Sequence, residues 1–151
     1  EPVQYRLQAG DQSLGVLTDL GSITAHILEA YAGCDGLLLE FNHDLDLLMS
    51  GSYPASLKHR VASDYGHLNN VQAADFIRLV DTSRLTTLIL GHLSEQNNRP
   101  EQALQALASA ATHHGARVQV ACQARGFDWV TLGGPAHSDP DDSREDSAIR
   151  A

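Results

Sequence analysis

Imidazole and carboxylate groups recur in this sequence where apolar runs stop. His92 follows Leu88-Ile89-Leu90-Gly91, and Asp19 follows Leu14-Gly15-Val16-Leu17-Thr18. Glu40, Asn42, His43 and Asp44 follow Gly36-Leu37-Leu38-Leu39, and His67 stands in a loop just ahead of a helix. Each run reads as a strand, and open α/β sheets place their sites beyond the carboxyl ends of strands. Carboxylate oxygen and imidazole nitrogen together suit zinc or manganese. A carboxylate can bridge two ions, whereas an imidazole normally serves one. A metal pair can generate hydroxide and clamp a phosphodiester during in-line displacement.

Structural roles stand beside these. Asp19 before Leu20-Gly21 could order a tight turn. His43 could be a loop hydrogen-bonder, and His67 could cap a helix or pack on Tyr65. Asn97-Asn98 reads most simply as a loop and helix cap. His26, His59 and His137 have no supporting neighbours and read as surface or satisfied groups. Cys34 and Cys122 lie far apart without metal-ligand spacing and read as buried thiols.

The elements that must position these groups follow from periodicity. Val3 to Leu7 and Leu14 to Thr18 form a hairpin around the turn-rich 9–13. Ser22 caps a helix bearing Ile23, Ile27, Leu28 and Tyr31, which Gly33 closes. After the Gly36–Leu39 strand, Asp44 caps a short helix ending at Gly51, and Tyr53-Pro54 opens another through Val61. Asn69 or Asn70 caps a helix with Val71, Ala74, Ile77 and Val80 on its apolar face. Leu85–Leu90 is a strand. Pro100 starts a helix with Leu104, Leu107, Ala108 and Ala111 on one face, His113 and His114 in its last turn, and Gly115 as its stop. Arg117–Ala121 is a strand and 127–132 a last one. From Pro135 the chain is acidic and poor in apolar residues, so a domain over 1–134 with a disordered tail over 135–151 is expected.

The alternation predicts an α/β class with a mixed sheet. The 36–39 and 88–90 strands look apolar on both faces, so the sheet needs cover on both sides, more than these helices supply. The 151 residues suffice for one core, and the net charge of −9 excludes a broad basic face for nucleic acid. Metal ions can supply positive charge locally. No apolar run is long enough to span a membrane, no signal-peptide pattern opens the chain, and a cytoplasmic location is expected.

Several segments in order carry a resemblance: Thr18-Asp19-Leu20-Gly21, Leu39 to Asp44, Gly51-Ser52-Tyr53-Pro54 with Leu57-Lys58-His59-Arg60, Gly66-His67-Leu68-Asn69-Asn70, and Gly91-His92-Leu93-Ser94-Glu95-Gln96-Asn97-Asn98. Over roughly residues 1–115 the chain resembles the C-terminal half of YycJ/WalJ-type metallo-β-lactamase-fold phosphodiesterases, regarded as DNA exonucleases, and more distantly the ribonuclease Z group. The resemblance implies half of an αββα sandwich and, in the intact protein, a dinuclear zinc or manganese centre acting on DNA. By position Asp19 resembles the metal-bridging aspartate and His92 the final histidine ligand. His67 resembles the non-ligand histidine that contacts the scissile phosphate and protonates the leaving oxygen. Glu40, Asn42, His43, Asp44, Ser94, Asn97 and Asn98 are assigned supporting or substrate-positioning roles. The family's His-x-His-x-Asp-His motif is absent, so the chain alone is expected to be inactive, its partner being the missing N-terminal half of the same fold. The alternatives are another substrate (RNA, a cyclic phosphodiester or a small ester) and a non-catalytic half-domain that binds a partner through an exposed sheet face.

Overall fold

The parallel core of the molecule aligns its strand ends at one edge. A computed structural model describes residues 3–110, 115–124 and 126–132. In chain order the elements are β1 (Tyr5–Ala9), β2 (Gln12–Leu17), α1 (Ala25–Tyr31), β3 (Gly36–Glu40), α2 (Leu45–Ser50), α3 (Ala55–Val61), α4 (Asn70–Leu79), β4 (Thr87–Gly91), α5 (Pro100–Ser109) and β5 (Arg117–Val120). The five strands form one mixed sheet in the order β1-β2-β3-β4-β5, which is the α/β class expected. β1 and β2 make the antiparallel hairpin, and β2 to β5 run parallel. Leu17 pairs with Leu39 and Leu39 with Leu90, so β2, β3 and β4 end level with one another.

Parallel neighbours need a crossover, and crossovers are right-handed. Here every crossover steps the same way across the sheet, so the connecting helices fall on one face. Leu17, Leu37, Leu39, Leu88 and Leu90 pack there in one cluster with Phe76 and Ile77 of α4 and Ala103 and Leu107 of α5. Strand alternation turns Leu14, Val16, Leu38 and Ile89 to the other face. Tyr5 and Leu7, paired with Val16 and Leu14, extend that face and are each 56% exposed. The expectation that these helices could not cover both sides holds. Part of the second face is overlain by the segment ending at Leu132, which packs over Gly36.

Several local expectations are corrected. The cap of α1 is Thr24 rather than Ser22; its hydroxyl accepts from the Ile27 amide at 3.3 Å. Ile23 therefore precedes the helix and packs on the core beside Leu28, the positions of a hydrophobic staple. Asn69 caps α4 in a capping box with Gln72. The buried face of α4 is Ala73, Ala74, Phe76 and Ile77, which leaves Val71 exposed, and on α5 Leu104 is exposed while Ala103 is buried. Residues 127–132 form no strand, and Trp129 is fully exposed. Cys34 is buried as expected, but Cys122 is exposed just beyond β5. His113, His114, His137 and the acidic tail lie outside the described residues.

At the opposite end of β3 from Glu40, the buried Asp35 carboxylate accepts from the Ser13 amide at 2.8 Å and from Arg84 at 3.0 Å. Burial pushes this carboxyl up, and the Ser13 and Arg84 hydrogen bonds outweigh it and hold the group below its usual value. Asp35→Ala strands the Ser13 amide and is expected to destabilise the fold by about 1–3 kcal/mol, read from a urea unfolding midpoint. Because the folded-state pKa is the lower one, the wild-type advantage is present above the unfolded value near 3.8. It fades as pH falls through the folded value, so the gap between wild type and variant should close in acid.

Candidate metal centre

Three loops leave the level ends of β2, β3 and β4, and a fourth enters α4 beside them. Two of the groups they carry stand on left-handed backbone: Asp19 has φ 58° and His92 φ 55°. Asp and His are among the residues that tolerate this region, yet each such position costs on the order of 1–3 kcal/mol unless its surroundings hold it. Close approach of the loops is made possible by missing side chains. A Cβ at Gly21 would overlap the Asp64 carbonyl, and one at Gly66 the Val61 carbonyl.

Glu40 joins the loops. It is fully buried at the end of β3. Its Oε1 accepts from the amides of Leu20 at 2.8 Å and Leu68 at 2.9 Å. Its Oε2 accepts from the Asp19 amide at 2.9 Å and lies 3.2 Å from His67 Nδ1 and 2.9 Å from His92 Nδ1. Burial would push this carboxyl up, but the hydrogen bonds from His67, His92 and the Leu68 amide bring it to about 2. The same bond raises the His92 pKa against the opposing effect of burial. An ionised carboxylate can only accept, so both histidines carry a proton on Nδ1 and present Nε2 away from Glu40. Fixing one ring nitrogen in this way is how metal-binding histidines are oriented.

Asp19, His67 and His92, which the sequence places at one sheet edge, come together in a cluster. One ligand atom from each lies within 4.8 Å of the others. His67 Nδ1 is 3.8 Å from Asp19 Oδ1, and the two imidazoles meet edge-on with centroids 5.2 Å apart. Asp19 and His92 offer a carboxylate and an imidazole, donors of the kind zinc and manganese take, and His67 stands beside them. Asn42, Tyr53, His67, His92 and Gln123 line an adjoining cleft of about 310 Å³.

The supporting residues divide. Asn42 touches the loops of both histidines. His43 is buried, and burial together with the nearby His67 holds its imidazole at about 4, hence neutral. Asp44 caps α2 through the Leu47 amide at 2.9 Å. Ser94 Oγ accepts from the Asn97 amide at 3.2 Å, and Asn97 O accepts from the Asp44 amide. Asn98 pairs with Asn70 and donates to the Phe41 carbonyl at 2.6 Å. Asp44, Asn97 and Asn98 thus build the loops rather than the cluster. Sequence reasoning gave no place at the site to Tyr53, read only as part of a helix start, or to Gln123. Applying the strand-end rule to β5 would have found Gln123.

No protein-family model matches the chain. Curated relatives do. The chain is 40% identical over 102 residues to Exodeoxyribonuclease WalJ of Streptococcus pneumoniae, covering 68% of this chain and 38% of that protein. It is 32% identical over 115 residues to Exodeoxyribonuclease YycJ of Bacillus anthracis, covering 76% of this chain and 44% of that protein. The chain is related to the WalJ/YycJ proteins. It spans about two fifths of the length of these WalJ/YycJ relatives.

Glu40→Ala leaves three amides and two imidazoles without their acceptor. It is expected to destabilise the fold by about 3–5 kcal/mol, as removal of one partner from a buried charged network does. Glu40→Gln, which keeps the shape but turns an NH2 toward donors, should destabilise less. Urea midpoints of the two variants check the order.

Proposed function

We propose that this chain is the C-terminal part of a metallo-β-lactamase-fold DNA exonuclease that hydrolyses phosphodiester bonds at a dinuclear zinc or manganese centre. The observation that carries the reading is the meeting of Asp19, His67 and His92 from separate loops, with both imidazoles anchored through Nδ1 on Glu40. The printed names of the WalJ and YycJ relatives point to the same chemistry. Asp19 and His92 would hold the ions. When bound, such ions supply Lewis acidity toward phosphorus–oxygen groups.

The chain's own residues account for proton handling. His67 would stand beside a phosphate held by ions on Asp19 and His92. Glu40 orients its ring through Nδ1, and Nε2, when it carries a proton, would deliver it to the leaving oxygen. The remaining ligands, and the residues that select DNA, belong to an N-terminal half of the same fold. Its seat on this chain would be the sheet face on which Tyr5 and Leu7 are exposed and Leu14, Val16 and Leu38 half-buried. Alone, the chain would be inactive.

A second reading, a non-catalytic half-domain that binds a partner through this face, draws on the same exposure. The convergence of Asp19, His67 and His92 weighs against it, since a structural domain has no need of two left-handed backbone positions beside a buried charge.

In the intact protein, His67→Ala should retain bound metal while turnover of DNA falls on the order of 10²–10⁴-fold. Metal analysis together with single-turnover kinetics separates the two effects. Unchanged turnover would remove His67 from the reaction, and metal-free wild-type protein that still cleaves DNA would overturn the whole proposal.

A further inference from the structure

Glu40 fixes the rings of His67 and His92, and a different residue fixes the backbones that carry them. The Asn42 amide donates to the Leu68 carbonyl at 3.1 Å, beside His67, and its carbonyl accepts from the Ser94 amide at 2.8 Å. Its side-chain Nδ2 donates to the His92 carbonyl at 3.0 Å. The side chain is therefore bonded to the peptide of a residue at φ 55°, a conformation an L-residue adopts only when its surroundings hold it.

The orientation of the Asn42 amide follows from its neighbours. The His92 carbonyl can only accept, so it faces Nδ2, and Oδ1 must face His43 Nδ1, 3.3 Å away. His43 then donates from Nδ1, leaving Nε2 as the bare nitrogen. That atom is buried and has no hydrogen-bond partner among the described residues. His43 thus gives up one hydrogen bond in a buried site while its other nitrogen orients Asn42. Buried polar atoms are ordinarily satisfied.

We infer that Asn42 is a positioning residue: its side-chain amide holds His92 in left-handed conformation and in register with the His67 loop. The inference deepens the metal reading above and rests on it only for its effect on metal affinity. Without the Asn42 amide, the His92 peptide is free to relax toward ordinary φ, which carries the imidazole off Glu40 and away from Asp19.

The test compares Asn42→Ala with Asp35→Ala in the intact protein, because Asp35 contributes stability from the far end of the sheet. In metal-free protein, the ¹³Cα and carbonyl shifts of His92 should move in N42A toward ordinary backbone values and stay in place in D35A. Unchanged shifts in N42A overturn the inference. By chelator competition, N42A should bind zinc or manganese on the order of 10–100-fold more weakly than wild type, whereas D35A should match wild type. Equal weakening in both variants would reduce Asn42 to a stability residue and also overturn the inference. Should N42A not fold, Asn42→Ser retains a hydroxyl donor on a shorter arm and should show the same two changes in smaller measure. A wild-type protein that binds no divalent metal would refute the metal reading alone, with the His92 shifts still deciding the role of Asn42.

Discussion

A carboxylate with no access to water sits at the centre of this structure, and its neighbours are arranged to keep it charged. Removing an ion from water costs several kcal/mol even after relaxation. Glu40 offsets this with hydrogen bonds from the amides of Asp19, Leu20 and Leu68 and from the imidazoles of His67 and His92. These donors belong to three different loops. The charge can be solvated by protein only if the loops converge, so its burial is a strong constraint on where they lie. The acceptor-only character of a carboxylate then sets the tautomer of both histidines, and a packing requirement becomes a chemical one.

The sheet makes that convergence possible and leaves a consequence elsewhere. Parallel strands bring the ends of β2, β3 and β4 to one edge, and a strand order that never reverses puts their crossovers on one face. Doubly wound sheets place their sites where the order reverses and the helices change sides. This sheet has no such reversal. Its site is shaped instead by loops that approach one another over the edge, helped by Gly21 and Gly66. Among the described residues, the face left without helices follows from the same monotonic order, so the site edge and that face share one topological cause.

Much of this was legible in the sequence. The hairpin, the helix starts at Asp44, Asn69 and Pro100, and the placing of Asp19, His67 and His92 at one edge follow from periodicity, cap residues and the rule of strand ends. Glu40 could be given only a supporting role, and which groups it supports was not legible. A glutamate after an apolar run looks the same whether it is solvated or buried, and only three-dimensional burial reveals which amides it accepts from. Helix faces were misjudged where small residues did the packing. Ala73 and Ala103 are buried while Val71 and Leu104 are exposed, on two helices that pack closely against each other, where small side chains are favoured over larger ones. The expectation of a strand over 127–132 failed for a different reason: its alternation carries no information about whether a neighbouring edge is within reach to pair with it. The positive φ of Asp19 and His92 is likewise invisible in sequence, since neither is a glycine.

Those two backbone positions bear on how a site of this kind is held. An imidazole is placed by its ring and by its Cβ, and a bond at Nδ1 controls only the first. On a flexible loop, the ring could keep its bond to Glu40 while the loop pivots and Nε2 swings away from Asp19. Left-handed backbone at His92 selects one direction for the Cβ, but the conformation is unfavourable in itself and needs a bond that compensates for it. Glu40 and Asn42, two residues apart at the end of the same strand, meet these requirements separately, one through the ring and the other through the carbonyl. Because β3 is central in the sheet and buried on its helical side, both anchors sit on its rigid end. The precision of the cluster therefore derives from the strand, and the loops that carry Asp19, His67 and His92 are fastened to it.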